Sequence, residues 1–389
     1  MREVKERILY VIGAPLPTSK AYGVTTKETI KVLIENNYCV KVISDRGNYY
    51  DSEFSLIRSI QEFFPKNFLT SCLLFIGTKG KNIINVSCWR LGTILRTVAS
   101  FRIVNKFNPD IIWVRDPYLA YLYLRKFDNI KLILEIHDKS GTFVYKKLNK
   151  YEPRIIFCPI SESNYRVIAS LMPKSKIILS PMSVSLNQIA TKTDCLNHIK
   201  SLTLRNFENI KIGYVGRIAP SGYSKGVEEL FSLAEYYARK KINASVTIIG
   251  AQKKEMESFY MLKMKYGLLS SDIEVLPHTN HSEALKRMKD FDILVLPLYK
   301  SNSYNGMPLK LLEYIASGRI TIVADSTMYT NFFKNGFRPF LYEPFDTKSL
   351  ADAINDAMHS PNLKSILFKG LDLAHEYTWE RRTLRILGS

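Results

Sequence analysis

Two cations and a carboxylate in the second half of the chain have the types and spacing for work on a phosphorylated ligand. In "YVGRIAPSGYSKGVEELF", an apolar run ends at Val215, Gly216 lets the backbone turn, Arg217 follows, and Lys225-Gly226 opens a helical pattern. Two cations at the mouth of a β-loop-α unit suit a diphosphate, and a helix N-terminus adds partial positive charge. A surface Arg and Lys on an ordinary loop would leave the same short signature. A second candidate anion site lies in "NGMPLKLLEYIASGR", residues 305–319. Gly306 and Pro308 mark a tight loop, and a helix starts near Leu309 with free N–H groups that can hold an anion. Lys310 occupies the first turn, where helices favour acids, so a cation there suggests an anionic ligand. Glu313 stands one turn further on, between Leu312 and Tyr314. It is either an ordinary solvated helix residue or an acceptor for the paired hydroxyls of a sugar. Gly318 then ends the helix.

Histidines and acids elsewhere carry weaker signals. His137 ends the apolar run "KLILEIHD", bracketed by Glu135 and Asp138, and a single histidine there, taken alone, is more often structural. His278 and His281 flank "TN" in "PHTNHSEAL". Their spacing is conceivable for a metal pair, but no third ligand follows nearby. A loop and helix cap beside a nucleotide base is the preferred reading of His278. No Asp-x-Asp motif sits at a strand end, and the cations can substitute for Mg²⁺, so no metal is expected. Neither first strand is followed by G-x-G-x-x-G, and no Walker A sequence occurs.

The elements that must position these residues repeat a β-loop-α pattern. "RILYVI", "CVKVIS", "PDIIWVRDP", "KLILEIHD" and "RIIFCPIS" read as buried strands of one parallel sheet. "NIKIGYVGR", "ASVTIIG", "IEVLP", "DILVLPL" and "ITIVAD" restart it, with helical segments such as "GVEELFSLAEYYARKK" between them. Ligands gather at the carboxyl ends of such strands. The 389-residue length fits two domains. The polar segment 191–206 reads as the linker, which places domains at 1–200 and 206–374.

Composition narrows the partners. The net charge of +19 is uneven. Residues 1–205 hold 31 Lys and Arg against 16 Asp and Glu, and residues 206–389 hold 24 against 20. Nucleic acid, an anionic membrane or a phosphorylated substrate would suit that excess. No recognition-helix or stacking motif supports nucleic acid. Five scattered cysteines form no CxxC pair, which argues against a disulfide framework or a zinc site. No apolar run reaches the roughly 18 residues needed to span a bilayer, and "MREVKERILYVIGAP" has no signal-peptide pattern, so a cytoplasmic location is expected. In 54–106, apolar and aromatic residues alternate with Arg90, Arg96 and Arg102. A helix packed on its own sheet gives a similar pattern, but the positive first half favours peripheral contact with an anionic membrane and a lipid-linked acceptor.

The blocks "YVGRI…KGVEEL", "HSEALKRMKDFDILVLPL", "MPLKLLEYIASGRITIVAD" and "YTWERRTLRIL" occur in an order and spacing that resemble the glycosyltransferase group 1 family, the retaining GT-B enzymes of glycosyltransferase family 4. "NPDIIWVRDP", "LEIHD", "CPISES" and "SPMSVSL" resemble its first half more loosely. The resemblance implies two Rossmann-like doubly wound parallel-sheet domains facing each other across a cleft. It also implies a terminal helix, about 375–389, that joins the first domain. Arg217 and Lys225 match the pair that binds the donor diphosphate, with Gly216 beside them. Glu313 matches the second glutamate of the E-x7-E motif, which holds the ribose. Met307, Pro308 and Leu309 match the loop whose amides contact donor sugar and phosphate, next to Gly306 and Lys310. His137 matches the histidine that faces the donor sugar. Asn305 stands where the first glutamate of the motif is expected, so the analogy stops short of naming the sugar. Asp116, Asp138, Tyr22 and Gly23 are acceptor-side candidates, with structural capping the competing role for the two acids.

The implied reaction is retaining, metal-independent transfer from a nucleoside-diphosphate sugar, UDP- or GDP-linked, to a glycan or lipid-linked acceptor. Bacterial surface polysaccharide synthesis at the inner face of the cell membrane fits it. No cofactor is required. The alternatives are a GT-B-fold sugar-nucleotide epimerase and a catalytically degenerate partner subunit.

Overall fold

The computed structural model describes residues 5–18, 20–46, 54–64, 83–137, 142–218, 225–298, 309–330, 333 and 336–388. Asn305, Gly306, Met307, Pro308 and Asp138 lie outside the described residues. The chain divides into two compact units. One is Met1–Pro181 together with Arg382–Ser389, and the other is Met182–Arg381.

The first unit runs β1 (Arg7–Leu16), α1 (Ala21–Glu35), β2 (Cys39–Arg46), α2 (Ser55–Ile60), β3 (Gln61–Phe63), α3 (Ile83–Phe107) and β4 (Ile111–Val114). It continues with α4 (Pro117–Lys126), β5 (Lys131–Ile136), α5 (Thr142–Leu148), β6 (Ile155–Pro159), α6 (Glu162–Leu171) and β7 (Lys176–Ile177). The seven strands pair in parallel in the order β3-β2-β1-β4-β5-β6-β7. Such a sheet is covered on both faces, which is why its strands are continuous apolar runs. Successive side chains point to opposite faces. Leu9, Val11, Ile112, Val114, Leu132 and Leu134 fill one core, while Ile8, Tyr10, Ile12, Ile111, Trp113 and Ile133 fill the other.

The second unit runs α7 (Lys192–Leu204), β8 (Ile210–Val215), α8 (Glu228–Lys240), β9 (Ala244–Ala251), α9 (Lys253–Lys265), β10 (Ile273–Pro277) and α10 (His281–Met288). Then come β11 (Ile293–Leu296), α11 (Leu309–Ala316), β12 (Ile320–Ala324), α12 (Thr327–Thr330), β13 (Phe340–Tyr342), α13 (Thr347–His359) and α14 (Leu363–Glu376), and the last helix, α15 (Trp379–Leu387), passes from this unit into the first at Arg382. Its six strands are parallel in the order β10-β9-β8-β11-β12-β13. In each sheet the strand order reverses beside the first strand, and the crevice at that switch point is the favoured ligand position.

Three differences from the sequence reading have clear causes. The segment expected as a linker is α7, part of the second unit. Thr191 and Asp194 form a reciprocal capping box at its start, and Cys195, His198 and Leu202 bury one face. β1 does not stop at Gly13. It runs on to Leu16, paired through Pro15 and Leu16 with Asp45 and Arg46, so Tyr22 and Gly23 fall in α1 rather than in a loop. Nothing in the sequence marks the short strands β3, β7 and β13, because two or three residues at a sheet edge show no periodicity.

Candidate functional site

In the second unit the candidate residues meet at the carboxyl end of β8, beside the switch point to β11. Val215 ends the strand and is tied to α11 by side chains one turn apart. Its N–H donates to the Tyr314 hydroxyl at 2.8 Å. Its carbonyl accepts from Lys310 Nζ and from the Tyr314 hydroxyl. The ammonium of Lys310 also lies 5.7 Å from the Tyr214 ring centre and 5.8 Å from that of Tyr314, within cation–π range. Gly216 follows with φ +146°, and a Cβ there would overlap Lys310 Nζ. Gly250, at the end of β9, has φ +131°, and its Cβ would strike the Gly216 carbonyl. Glycine at both positions lets the lysine lie across the strand end.

Glu313 is not a solvated helix residue. It is 6 % exposed, and its Oε1 lies 2.6 Å from His281 Nε2. Burial pushes its carboxyl up, but His281, Lys310 and Lys225 outweigh burial and hold it below its ordinary value. An ionised carboxylate here means that His281 donates. His281 is the first residue of α10, whose N-cap Asn280 accepts from the Glu283 N–H at 2.8 Å.

The cations crowd one another. Burial, then Lys310 and then Arg217 lower Lys225, against the pull of Glu313, to about 7. Burial lowers Lys310 too, with Glu313 opposing. His278 follows β10, its N–H bonded to the Ala251 carbonyl at 2.8 Å. Burial, Arg217 and Lys310 hold its imidazole below the ordinary value, so His278 stands in the same positive field. Leu309 opens α11, half-buried. Arg217, Lys225, Lys310, Glu313 and His278 therefore form one electrostatic group, with Gly216 under the Lys310 ammonium. An anion that neutralises two or three of these cations would relieve their mutual repulsion.

The first unit holds a separate group. His137 Nε2 is 3.0 Å from Glu135 Oε2. Glu135 also meets Arg115, Arg382 and Trp113. Asp116 caps α4, accepting from the N–H groups of Tyr118 and Leu119 at 2.7 and 3.3 Å. Tyr22 donates its hydroxyl to the Pro15 carbonyl at 2.8 Å. Gly23 is buried in the first turn of α1, where a Cβ would run into the Thr18 carbonyl. These contacts give Asp116, Tyr22 and Gly23 structural roles.

Sequence reasoning missed His281 as the partner of Glu313, Tyr314 as the tie to β8, and Arg115 and Arg382 around Glu135. "PHTNHSEAL" drew notice for its histidines but held no local sign of a carboxylate 32 residues on.

The two-unit fold is that of the GT-B glycosyltransferases. Over 99 % of this chain and 97 % of its own, a glycosyltransferase from Rickettsia africae ESF-5 superposes with a TM-score of 0.68 at 15 % identity. Sucrose-phosphate synthase from Thermosynechococcus elongatus does so over 99 % and 98 %, with a TM-score of 0.66 at 14 % identity. Anabaena Alr3699/HepE in complex with UDP covers 98 % and 98 %, with a TM-score of 0.68 at 12 % identity. No curated protein sequence matches the chain. Residues 199–369, which make up most of the second unit, match the family "Glycosyl transferases group 1".

Proposed function

We propose that the chain is a retaining, metal-independent glycosyltransferase that uses a nucleoside-diphosphate sugar and delivers the sugar to a glycan or lipid-linked acceptor. The observation that carries this reading is the cation group around the β8 end, with an ionised, buried Glu313 beside it. Arg217, Lys225 and Lys310 would stabilise the leaving diphosphate as charge grows on its oxygen. Glu313, steadied by His281, would accept from the ribose hydroxyls. His137 of the first unit would meet the donor sugar. The leaving phosphate can itself take the acceptor's proton, which suits a retaining route without a separate base. The UDP bound to Anabaena Alr3699/HepE favours a uridine donor.

Hydrolysis and transfer assays over UDP-, GDP-, CDP- and ADP-sugars, with and without EDTA, test the reading. One donor class turns over in both conditions. Glu313→Ala weakens binding of that nucleotide roughly ten- to a hundredfold, the loss of a charge-assisted hydrogen-bonded pair. Unaltered affinity would refute the ribose role, and no turnover of any donor would favour the degenerate-subunit alternative.

The same reading places the protein against the inner face of the cell membrane, in bacterial surface polysaccharide synthesis. Its support is α3. Leu91, Ile94 and Val98 form an exposed apolar row there, with Arg90 and Arg102 exposed nearby. A bilayer with anionic headgroups matches that surface. Among the described residues, no helix is long and apolar enough to cross a membrane.

A further inference from the structure

The Glu135 carboxylate, 0 % exposed, sits at the centre of four polar side chains. Its Oε2 is 3.0 Å from His137 Nε2 and forms an ion pair with Arg115 Nε at 3.0 Å. Its Oε1 accepts from Arg382 Nη2 at 3.0 Å and from Trp113 Nε1 at 3.1 Å. Arg382 comes from α15, at the far end of the chain, and is itself buried. Its Nε donates to the carbonyls of Ser180 and Pro181, at 3.2 and 3.1 Å, which aims the guanidinium. Tyr10 from β1 and Cys158 from β6 are the other titratable groups facing this carboxylate.

A carboxylate beside an imidazole often serves to make the ring a stronger base. Here one carboxylate is shared by two guanidinium groups, so the ring's surroundings are net positive. Burial, Arg115 and Arg382 together outweigh Glu135 and hold His137 below its ordinary value. Burial alone would push Glu135 up, but Arg382, Arg115 and His137 keep it well below the carboxylate range. The carboxylate is therefore ionised and the ring neutral at pH 7. A neutral ring with Nε2 against a carboxylate carries its hydrogen on Nε2, which leaves Nδ1 as a lone-pair acceptor. The His137 side chain is 27 % exposed.

We propose that Arg382 is a positioning residue for His137: through the shared Glu135 carboxylate, the last helix locks the imidazole as its Nε2–H tautomer and presents Nδ1 as a hydrogen-bond acceptor. His137 then accepts a hydrogen bond from a substrate hydroxyl and does not act as a charged acid. The hydroxyl's identity rests on the reading above, in which the substrate is a donor sugar. The tautomer lock does not.

Nitrogen-15 spectra of histidine-labelled full-length protein, with His137 assigned by its loss in His137→Gln, test the lock without substrate. At pH 7 the wild-type ring is neutral with its hydrogen on Nε2. Arg382→Met raises the His137 midpoint by about one pH unit, the usual size of losing a nearby charge. Arg382→Lys keeps it near the wild-type value. A helix tether with no link to His137 would leave the midpoint unmoved in both variants, and that result overturns the proposal. So does an Nδ1–H or protonated ring in the wild type, a readout that stands even if a variant fails to fold. In transfer assays Arg382→Met lowers kcat with the donor KM unchanged. A locked tautomer combined with turnover indifferent to His137→Gln would confirm the lock and remove the sugar contact.

Discussion

Lys225 and Glu313 show how one small volume sets the charge state of its residues. Glu313 is kept ionised by partners that include a lysine, and Lys225 is depressed to about 7 mainly by burial and a second lysine. Between about 7 and its unfolded value, an unfolded chain holds a proton on Lys225 that the folded chain lacks. Stability from this group therefore rises with pH across that window. A bound diphosphate reverses the balance by restoring the charged form. Nucleoside diphosphate binding at pH 8 thus takes up protons, seen as a binding enthalpy that depends on buffer ionisation heat in calorimetry. Binding with no net uptake, or with release, would refute the shared-cation account. Local sequence already pointed to Arg217, Lys225, Lys310 and Glu313, because each flanks a strand end or a helix start. It did not show that Glu313 is buried, since its partner His281 is remote in sequence.

At the scale of elements, α3 departs most from what periodicity suggests. Apolar residues at 91, 94 and 98 would ordinarily face a core. Instead Thr93, Arg96, Thr97 and Ser100 are buried, and the apolar row faces out. The polar side finds partners in Asp45, 2.8 Å from Arg96, and in the Tyr123 hydroxyl, 2.8 Å from Ser100. These lie on β2 and α4, so nothing in α3's own sequence announces them. An exposed apolar row with arginines alongside suits a lipid surface. Wild-type protein should float with anionic liposomes at low salt, and Leu91→Asp combined with Val98→Asp should abolish flotation. Equal flotation of both proteins would dismiss α3 as the contact. By contrast, α7 carries its start signal in its own sequence. "TKTD" is a capping box, and it outweighs the polar composition of the helix behind it.

For the whole molecule, the arrangement of the chain ends matters. The first unit is completed by residues from Arg382 onward, with Arg382 on Glu135 and Ile386 in the core beside Tyr10 and Trp113. Deleting residues 382–389 leaves a buried carboxylate short of one of its two guanidinium partners, and breaking such a pair costs about 3–5 kcal/mol. Hydrogen exchange should then quicken in the β5 amides and stay at the full-length rate in β12. Equal quickening in both sheets would show that α15 supports the molecule generally. Alternating strands and helices, apolar runs that end in polar residues, and cations at 217, 225 and 310 were all set by local order in the chain, because strand burial and helix starts act over a few residues. Other features were decided only by folding: the Lys310 ammonium on the Val215 carbonyl 95 residues away, the Glu313 pair with His281, and the grip of Arg382 on Glu135 across 247 residues. A contact between distant residues leaves no periodic trace, and its strength depends on the burial that the fold creates around it.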